Sequence, residues 1–353
     1  MISPVHVENF WIGPGHPCFI IAEAGVNHNS DMDLAFQLID SARQAGADAV
    51  KFQSFITEDL VTAGAEKASY QKSSTKTAGN QYYMLKALEL NAKQHAELKD
   101  HCQKEGILYL CTPYEHKSID AIDKIGAAAF KIASTDTTNI PLLRYIAGKQ
   151  RPVILSTGMC TLGEVELAVK TLRESGLENK IIILQCTSEY PAPMHEINLR
   201  AMKTMERAFA CPVGFSDHTP GIGASPWAVA LGACIIEKHF TLDRTMLGPD
   251  HKASIEPEEL ALLVKTIRDV ESALGDGIKR PMPSETDNKE KMQKSLVAEK
   301  NIQTGQEINE QDLICKRPGT GLPPVWFDRI IGKVAVRDIS RGSLVALDDI
   351  DWT

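Results

Sequence analysis

Short apolar runs alternate with segments of helical periodicity from residue 18 to residue 274. Each run has the length of a buried strand, and the segments between the runs repeat apolar residues at helical spacing. A series of eight strand–helix units predicts an α/β protein built as a (β/α)8 barrel, or TIM barrel. The predicted strands are 18–22, 48–52, 107–111, 128–133, 152–155, 181–184 and the two runs that close on His218 and His239.

The polar residues at the ends of these runs predict the position of a functional site. In a (β/α)8 barrel the active site forms at the carboxyl ends of the strands, so we expect the side chains there to surround one cavity. They are Glu23, Lys51, Gln53, Thr112, Lys131, Ser134, Ser156, Thr187, Ser216, His218, Glu237 and His239.

Two of these residues suggest a metal site. His218 and His239 end two strands of one strand–helix–strand unit, and such strands are expected to be parallel and adjacent. Neighbouring strands lie roughly 4.8 Å apart, so both imidazoles could bind one divalent ion. Nitrogen and oxygen ligands suit Mn2+, which we favour, and also Mg2+ or Zn2+. The alternative is that each histidine is an ordinary strand-end residue bonded to a carbonyl group.

The barrel closes strand one against strand eight, which would bring Glu23 beside His239. Glu23 is therefore a candidate base near the predicted metal.

Two lysines lie inside otherwise apolar strands. Lys51 follows Ala-Val and precedes Phe, and Lys131 lies between Phe130 and Ile132. A buried ammonium without a counter-charge is very unfavourable, so an anion is expected beside each one. Hydroxyl side chains on neighbouring strand ends favour a phosphate or carboxylate ligand. Internal carboxylates that form structural ion pairs are the alternative.

Residues 54–91 exceed the usual length of a strand-to-helix connection in a barrel. The segment leaves from the carboxyl ends of the strands, so it could close over the site as a lid. The alternative is a surface insertion without a role in the site.

A second domain is predicted after the barrel. We assign residues 1–280 to the barrel, 281–292 to a polar linker and 293–353 to a small β-rich domain. In the small domain, apolar residues recur at an offset of 37 residues, as in Ile302 and Ile339, which predicts internal pseudo-symmetry. The loop 316–321 is either a solvated turn or an arm that supplies Arg317 to an active site.

Composition disfavours a nucleic-acid partner, a disulfide framework and a membrane partner. The net charge of −8 disfavours a nucleic-acid partner, which would need a basic surface. The eight cysteines form no CxxC pair and several lie in apolar strands, so no disulfide framework is expected. The chain has neither a signal-peptide pattern nor an apolar run of about 18 residues. We therefore expect a cytoplasmic protein without a membrane partner.

Nine motifs taken together resemble a known family. In chain order they are IAEAGVNHN, VKFQ, FKIAS, LSTGM, CTSEYPAP, GFSDHT, IEKHFTLD, GPDHKASIEP and KRPGTG. From about residue 20 to the end, the chain is similar to the sialic acid synthases, in particular the bacterial N-acetylneuraminate synthases.

The resemblance implies a barrel followed by an antifreeze-like domain of the SAF (β-clip) type. It also implies a domain-swapped homodimer in which each small domain covers the partner's barrel. The implied reaction joins phosphoenolpyruvate, open-chain N-acetylmannosamine and water to give N-acetylneuraminate and phosphate, with a divalent metal, Mn2+ or Mg2+, as cofactor.

The resemblance also implies a role for each matching residue. Glu23 would act as the base or position the attacking water, and Arg317 would reach the acetamido group from the partner subunit. Lys51, Lys131, Ser134, Ser156 and Thr112 would hold phosphoenolpyruvate, His218 and His239 the metal, and Tyr190, Ser216, Asp250 and Gln53 the amino sugar.

Three alternatives stay open. Synthases of N,N'-diacetyllegionaminate share nearly all these motifs and act on 2,4-diacetamido-2,4,6-trideoxymannose. The two histidines alone would also suit a metal-dependent hydrolase or aldolase. An antifreeze-like domain beside a degenerate barrel would suit an ice- or carbohydrate-binding protein.

Overall fold

The computed structural model describes residues 2–75 and 79–353. Residues 76–78, which belong to the predicted excursion 54–91, lie outside the described residues. The chain forms two compact units, Met1–Gly275 and Asp276–Thr353. The segment 281–292, predicted as a linker, contains a short helix, Thr286–Met292.

Eight parallel strands of the first unit form a closed barrel, as predicted. A short hairpin of β1 (Val5–Val7) and β2 (Phe10–Ile12) precedes it. The barrel strands are β3 (Phe19–Gly25), β4 (Ala49–Ser54), β5 (Leu108–Pro113), β6 (Phe130–Ile132), β7 (Val153–Ser156), β8 (Ile181–Cys186), β9 (Val213–Asp217) and β10 (Ile235–His239). Neighbours pair in chain order, and β10 pairs with β3 to close the ring.

Helices connect the strands of the barrel. They are α1 (Met32–Gln44), α2 (Thr57–Leu60), α3 (Ser69–Thr75), α4 (Gln81–Lys86), α5 (Ala92–Glu105), α6 (His116–Lys124), α7 (Ile140–Ala147), α8 (Leu162–Glu174), α9 (Arg200–Phe209), α10 (Ser225–Ala230) and α11 (Pro257–Leu274). Helices α5 and α8 begin with capping boxes at Asn91 and Thr161, which satisfy the first free amide groups. The predicted excursion contains the three short helices α2, α3 and α4.

Strand alternation divides the apolar core into two layers. Outward-facing residues such as Ile20 and Val50 pack against the helices in the larger layer. Inward-facing residues such as Ile21 and Leu110 fill the barrel interior, where the β1–β2 hairpin joins them through Val5 and other residues. The lower part of the barrel is therefore a packed core, and polar side chains of the inner face lie near the strand ends.

The second unit shows the predicted internal repeat. It contains α12 (Thr286–Met292), β11 (Ser295–Ala298), β12 (Leu313–Lys316) and α13 (Phe327–Ile330). Ile302 and Ile339 exchange backbone hydrogen bonds of 2.9 and 2.8 Å. Gly305 and Gly342 occupy equivalent turns at φ 82° and 84°, where a residue with a Cβ atom would be strained. Ile302 and Ile339 therefore pair with each other, and the antiparallel bridges Val297–Leu344 and Glu307–Val334 lie on either side of this pair.

All eight cysteines are free thiols. Across residues 2–75 and 79–353, no helix has both the length and the apolar character needed to cross a membrane.

Candidate active site

A cavity of about 500 Å³ lies at the carboxyl ends of the barrel strands. Thr187, one of the predicted strand-end residues, does not line it. The other barrel residues assigned to a site do, and they are Glu23, Lys51, Gln53, Thr112, Lys131, Ser134, Ser156, Tyr190, Ser216, His218, Glu237, His239 and Asp250. Arg317 belongs to the second unit, where its Nε donates to the carbonyl of Met292 over 3.1 Å.

Strand register brings these side chains together. Glu23 on β3 is paired in register with Lys51 on β4 and with His239 on β10. Ser216 on β9 lies opposite Glu237 on β10. Since residues on neighbouring strands in register point to the same side of a sheet, all five point into the barrel.

Two lysines and two glutamates form a buried ion cluster at the floor of the cavity. Lys51 Nζ lies 3.1 Å from Glu23 Oε2 and 3.2 Å from Glu237 Oε2. Lys131 Nζ lies 3.4 Å from Glu237 Oε1. The internal carboxylates considered as an alternative are therefore present. The cluster has two cationic and two anionic side chains, so its formal charges balance when all four are ionised.

Hydroxyl groups complete the floor. Lys51 Nζ donates to Thr112 Oγ1 over 3.1 Å, and Lys131 Nζ donates to Ser156 Oγ over 2.7 Å. Ser134 Oγ accepts from the backbone amide of Gly158 at 2.9 Å. A Cβ atom at Gly158 would lie 2.9 Å from that oxygen, so glycine permits this close approach. Both ammonium groups thus lie beside hydroxyl groups that could also bind an anion.

The pKa values of the cluster follow from burial and from charge neighbours. Burial raises the pKa of Glu23, and Lys51 offsets this only in part. Burial alone would also raise the pKa of Glu237, but Lys131 and Lys51 lower it well below its usual range. Burial lowers the pKa of Lys131. Glu23 is therefore the carboxylate of this cluster that binds a proton more readily.

The two predicted metal ligands lie side by side. The ring centroids of His218 and His239 are 5.4 Å apart, and the ring of Tyr190 lies 4.1 Å from that of His218. His218 Nδ1 is 2.7 Å from the carbonyl oxygen of Thr187. This contact favours a proton on Nδ1, so the lone pair of the imidazole lies on Nε2, where it can bind a metal ion.

The residues present fit a divalent cation. Burial and then the neighbouring His218 hold the pKa of His239 well below its usual range, so its imidazole is neutral and can act as a ligand. Its Nδ1 is buried and has no hydrogen-bond partner among the described residues. Asp250, whose Oδ2 is 4.0 Å from this nitrogen, adds a nearby carboxylate. A neutral imidazole beside a second imidazole and a buried carboxyl group is a donor set that suits a metal ion.

A second group of potential ligands lies on the outer helices. Single ligand atoms of Asp40, His101 and Glu105 all lie within 4.8 Å of one another. Asp40 belongs to α1, and the other two belong to α5. His101 Nε2 is already 2.6 Å from Asp40 Oδ1, a hydrogen-bond distance. This group is partly exposed and lies outside the cavity.

An outward-facing ion pair holds the histidine strands in place. Asp217 and Lys238, which precede the two histidines, are fully buried and 3.4 Å apart. Asp217 also accepts hydrogen bonds from the amide and hydroxyl groups of Thr219 and Ser225. A Cβ atom at Gly223 would lie 1.8 Å from Thr219 Oγ1, so this network requires glycine there. The pair fixes β9 against β10 and, through them, the two imidazoles.

Glu237 is a predicted strand-end residue to which the motifs assigned no role. The available signal was alternation, because Glu237 and His239 share the inward face of β10 while Lys238 faces outward. Cys186, which was not predicted as a site residue, also lines the cavity, and its Sγ lies 3.8 Å from His218 Nδ1. Its available signal was its place at the start of the motif CTSEYPAP.

Comparison with known proteins gives two family matches. The model of the NeuB family matches residues 38–279, and the model of the SAF domain matches residues 293–351. An N,N'-diacetyllegionaminic acid synthase of Campylobacter jejuni is 47% identical over 92% of this chain and 98% of its own length. A protein of the same name from Legionella pneumophila is 43% identical over 96% of both chains.

A solved structure supports the same assignment. The crystal structure of an N-acetylneuraminic acid (sialic acid) synthetase from Leptospira borgpetersenii, in complex with citrate, superposes with a TM-score of 0.72. The two proteins are 37% identical, and the match covers 82% of this chain and 95% of the other. Both units of the present chain thus have counterparts among known proteins.

Proposed function

The chain belongs to the NeuB family and carries a SAF domain, and from this we propose that it is a phosphoenolpyruvate-dependent synthase of a nonulosonic acid. The acceptor is the open-chain aldehyde of a 2-acetamido aldose. Carbon 3 of the enol attacks the aldehyde carbon, and the aldehyde oxygen takes up a proton. Water adds at carbon 2, and the bond between carbon 2 and the phosphate oxygen breaks to release phosphate.

One observation carries this proposal. Two ammonium groups with their hydroxyl neighbours, and the two adjacent imidazoles of His218 and His239, line the same cavity of about 500 Å³. The first suits the anionic groups of phosphoenolpyruvate, and the second suits a divalent ion. A site with both is what the joining of an anionic enol to a polarised carbonyl requires.

In the proposed complex, Lys51, Lys131, Ser134, Ser156 and Thr112 hold the phosphate and carboxylate of phosphoenolpyruvate. Ammonium and hydroxyl donors make short, charge-assisted hydrogen bonds to such groups. Because Glu237 contacts both Lys51 and Lys131, we propose that it holds the two ammonium groups in position between turnovers.

We propose that His218 and His239 hold a divalent ion, Mn2+ or Mg2+, that acts as a Lewis acid toward the aldehyde. Glu23 lies in register with His239 and has a raised pKa, for which burial is the main cause. A carboxyl group whose pKa is closer to neutrality is suited to take a proton from the attacking water. Gln53 Nε2 donates to Glu23 Oε1 over 3.2 Å and holds this carboxylate in place.

Tyr190, Ser216 and Asp250 line the part of the cavity next to the histidines, and we propose that they contact the amino sugar. Two acceptors agree with this chemistry. The names of the Campylobacter and Legionella relatives favour 2,4-diacetamido-2,4,6-trideoxymannose, and that of the Leptospira protein favours N-acetylmannosamine.

The test is phosphate release by the purified protein loaded with Mn2+. Phosphate is expected only when phosphoenolpyruvate and a 2-acetamido aldose are both present, and mass spectrometry should find a product with the mass of the two substrates plus water minus phosphoric acid. Turnover of the aldose without phosphoenolpyruvate would instead support a hydrolase or aldolase. No product with either aldose would contradict the proposal.

Lys131→Met is expected to raise the KM for phosphoenolpyruvate by roughly 10- to 150-fold. A hydrogen bond to a charged group contributes about 1.5–3 kcal/mol, and about 1.4 kcal/mol corresponds to a factor of ten. Initial rates of phosphate release over a range of phosphoenolpyruvate concentrations would measure the change. The matched control is Lys170→Met on the exposed face of α8, which should leave this KM unchanged. An unchanged KM in Lys131→Met would remove this residue from the proposed anion site.

We further propose a homodimer in which Arg317 of one subunit acts on the acetamido group bound by the other. Arg317→Ala is then expected to raise the KM for the aldose and to spare phosphoenolpyruvate, whereas the exposed Arg341→Ala in the same domain should change neither. Mixed dimers of Arg317→Ala and Glu23→Gln chains should recover activity, because one of the two sites is then intact. Mixtures with no activity above that of the separate variants would show that each arm serves its own subunit.

A further inference from the structure

The loop after β3 contacts the part of the chain that carries Asp250. This loop comprises residues 26–30, and two of its side chains, Asn27 and Asn29, do not line the cavity. Asp250 does line the cavity, and it lies in the connection between β10 and α11. We call residues 247–254 of this connection the Asp250 segment. Both asparagines contact it, although neither has a role in the proposed reaction.

The side-chain nitrogen of Asn27 makes two hydrogen bonds next to the site. It donates to the carbonyl of Phe240, the residue after His239, and to Ser254 Oγ, each over 2.9 Å. Ser254 Oγ in turn donates to the carbonyl of Asp250 over 2.7 Å. A single nitrogen atom therefore contacts the residue that follows His239 and, through Ser254, the backbone of Asp250.

The orientation of the Asn27 amide follows from its partners. The carbonyl of Phe240 can only accept a hydrogen bond, so the nitrogen of Asn27 faces it rather than the oxygen. Asn27 Oδ1 is buried and has no hydrogen-bond partner among the residues that the structure describes. A buried carbonyl group without a partner is unfavourable, so an asparagine is a poor choice at this position for stability alone. What Asn27 supplies is the pair of contacts made by its nitrogen.

Asn29 contacts the other end of the Asp250 segment. Its Nδ2 donates to the carbonyl of Leu247 over 3.0 Å, and its Oδ1 lies 3.3 Å from Nε2 of His251. Since this oxygen can only accept, the contact places the proton of the imidazole on Nε2. Nδ1 of His251, which is 2.7 Å from Thr241 Oγ1, then accepts from that hydroxyl group. The loop after β3 thus holds both ends of the Asp250 segment.

The position of Asp250 depends on these contacts. Glu23 and His239 lie on barrel strands, whose register fixes them, whereas Asp250 lies in a connection. Its Oδ2 is 4.0 Å from His239 Nδ1, and we have proposed that it contacts the amino sugar. A displacement of about 1 Å, even one caused far from the reacting atoms, can lower the rate by about 100-fold. Contacts that hold the backbone of Asp250 are therefore expected to control the use of the aldose.

We infer that Asn27 is a positioning residue, which sets Asp250 against His239 for the binding of the aldose. This inference rests on the proposed synthase reaction. The groups proposed to hold phosphoenolpyruvate, such as Lys131 and Ser156, bond to each other on β6 and β7. Binding of phosphoenolpyruvate should therefore not depend on Asn27.

The test measures the KM for each substrate by phosphate release from the full-length, Mn2+-loaded protein. The aldose is N-acetylmannosamine or 2,4-diacetamido-2,4,6-trideoxymannose, whichever the wild type uses. Asn27→Ala is expected to raise the KM for the aldose by about 10- to 100-fold and to leave that for phosphoenolpyruvate unchanged.

The matched control is Asn91→Ala at the start of α5, outside the cavity lining. Asn91 also makes two side-chain hydrogen bonds, to the amides of Lys93 and Gln94 at 2.9 and 3.1 Å. Its loss should lower the temperature of thermal unfolding, as the loss of Asn27 should, but it should change neither KM.

Ser254→Ala provides a second variant. It removes the link from Asn27 to Asp250 but leaves the contact of Asn27 with Phe240 in place. This variant should also raise the KM for the aldose and spare phosphoenolpyruvate. In the double variant, the increase should be smaller than the product of the two single increases, because both substitutions break the same link. If Asn27→Ala does not fold, Ser254→Ala alone decides.

The outcomes separate this inference from the proposed function. A wild-type KM for the aldose in both Asn27→Ala and Ser254→Ala would overturn the inference and leave the synthase reaction intact. An equal rise in KM for both substrates would do the same, and so would independent effects in the double variant. No phosphate release by the wild type with either aldose would overturn the proposed function and this inference with it.

Discussion

Glu23→Gln is expected to lower kcat by about 10²- to 10⁴-fold, the usual contribution of a general base. The substitution keeps the shape of the side chain and its contact with Gln53, but it removes the carboxylate that would take a proton from water. It also changes the formal charge of the ion cluster from zero to +1, because Lys51 and Lys131 then face Glu237 alone. The KM for phosphoenolpyruvate should therefore not rise.

Steady-state phosphate release measures both quantities in one experiment. Glu166→Gln, on the exposed face of α8, is the matched control and should behave as the wild type. The combination of a low kcat with an unchanged or lower KM distinguishes a base from a residue that only supports the fold. A kcat within a few-fold of the wild type would mean that another group takes the proton.

His239→Gln is expected to weaken Mn2+ binding by about 100-fold or more. Loss of a residue that only supports a metal ligand already weakens metal binding by about 10- to 100-fold, and His239 is proposed as a ligand itself. Electron paramagnetic resonance titration of free Mn2+ measures the affinity without an activity assay. Activity should fall in parallel, and excess Mn2+ should restore the wild type after chelation but not the variant.

The matched control is His101→Gln in the outer group of Asp40, His101 and Glu105. This variant should retain the high-affinity Mn2+ site and the activity. If His101→Gln lost the bound Mn2+ while His239→Gln kept it, the functional metal would lie on the outer helices, and the proposed arrangement of the cavity would be wrong.

The barrel could be predicted because its signal is local. Each strand is an apolar run of a few residues, and each is followed by a helical repeat, so counting the units was enough to give a closed ring of eight. The same reasoning predicted the strand-end residues, because the carboxyl ends of parallel strands meet at one face. The repeat in the small domain was also readable, since Ile302 and Ile339 keep their spacing and their apolar character.

The ion cluster could not be predicted in detail. Glu237 lies on β10, whereas its partners Lys51 and Lys131 lie on β4 and β6, and neither strand is hydrogen-bonded to β10. These contacts cross the interior of the barrel, where distance depends on the radius of the ring and on side-chain conformation. The pairing of neighbouring strands, which the sequence predicts, does not give the distance from β10 to β4 or β6. From the sequence, either a ligand or an internal carboxylate could face each lysine.

The excursion 54–91 shows the same limit. Its length marked it as unusual, and a helical pattern was visible near α4. Only the tertiary structure showed that Phe55, Leu60, Met84 and Leu85 face the cavity while Glu58 and Lys86 face solvent. In helices of four and six residues, the apolar pattern is too short to fix which side is buried.

The sequence by itself determined the ring of eight strands, the identity of the residues at its rim and the family. These properties depend on periodicity and on motifs, which lie along the chain. The tertiary structure alone decided which rim charges neutralise one another and which side of the cavity is apolar. The ion pairs and the apolar side both depend on distances between residues that are far apart in sequence. Those distances are fixed only when the ring closes and the loops pack above it.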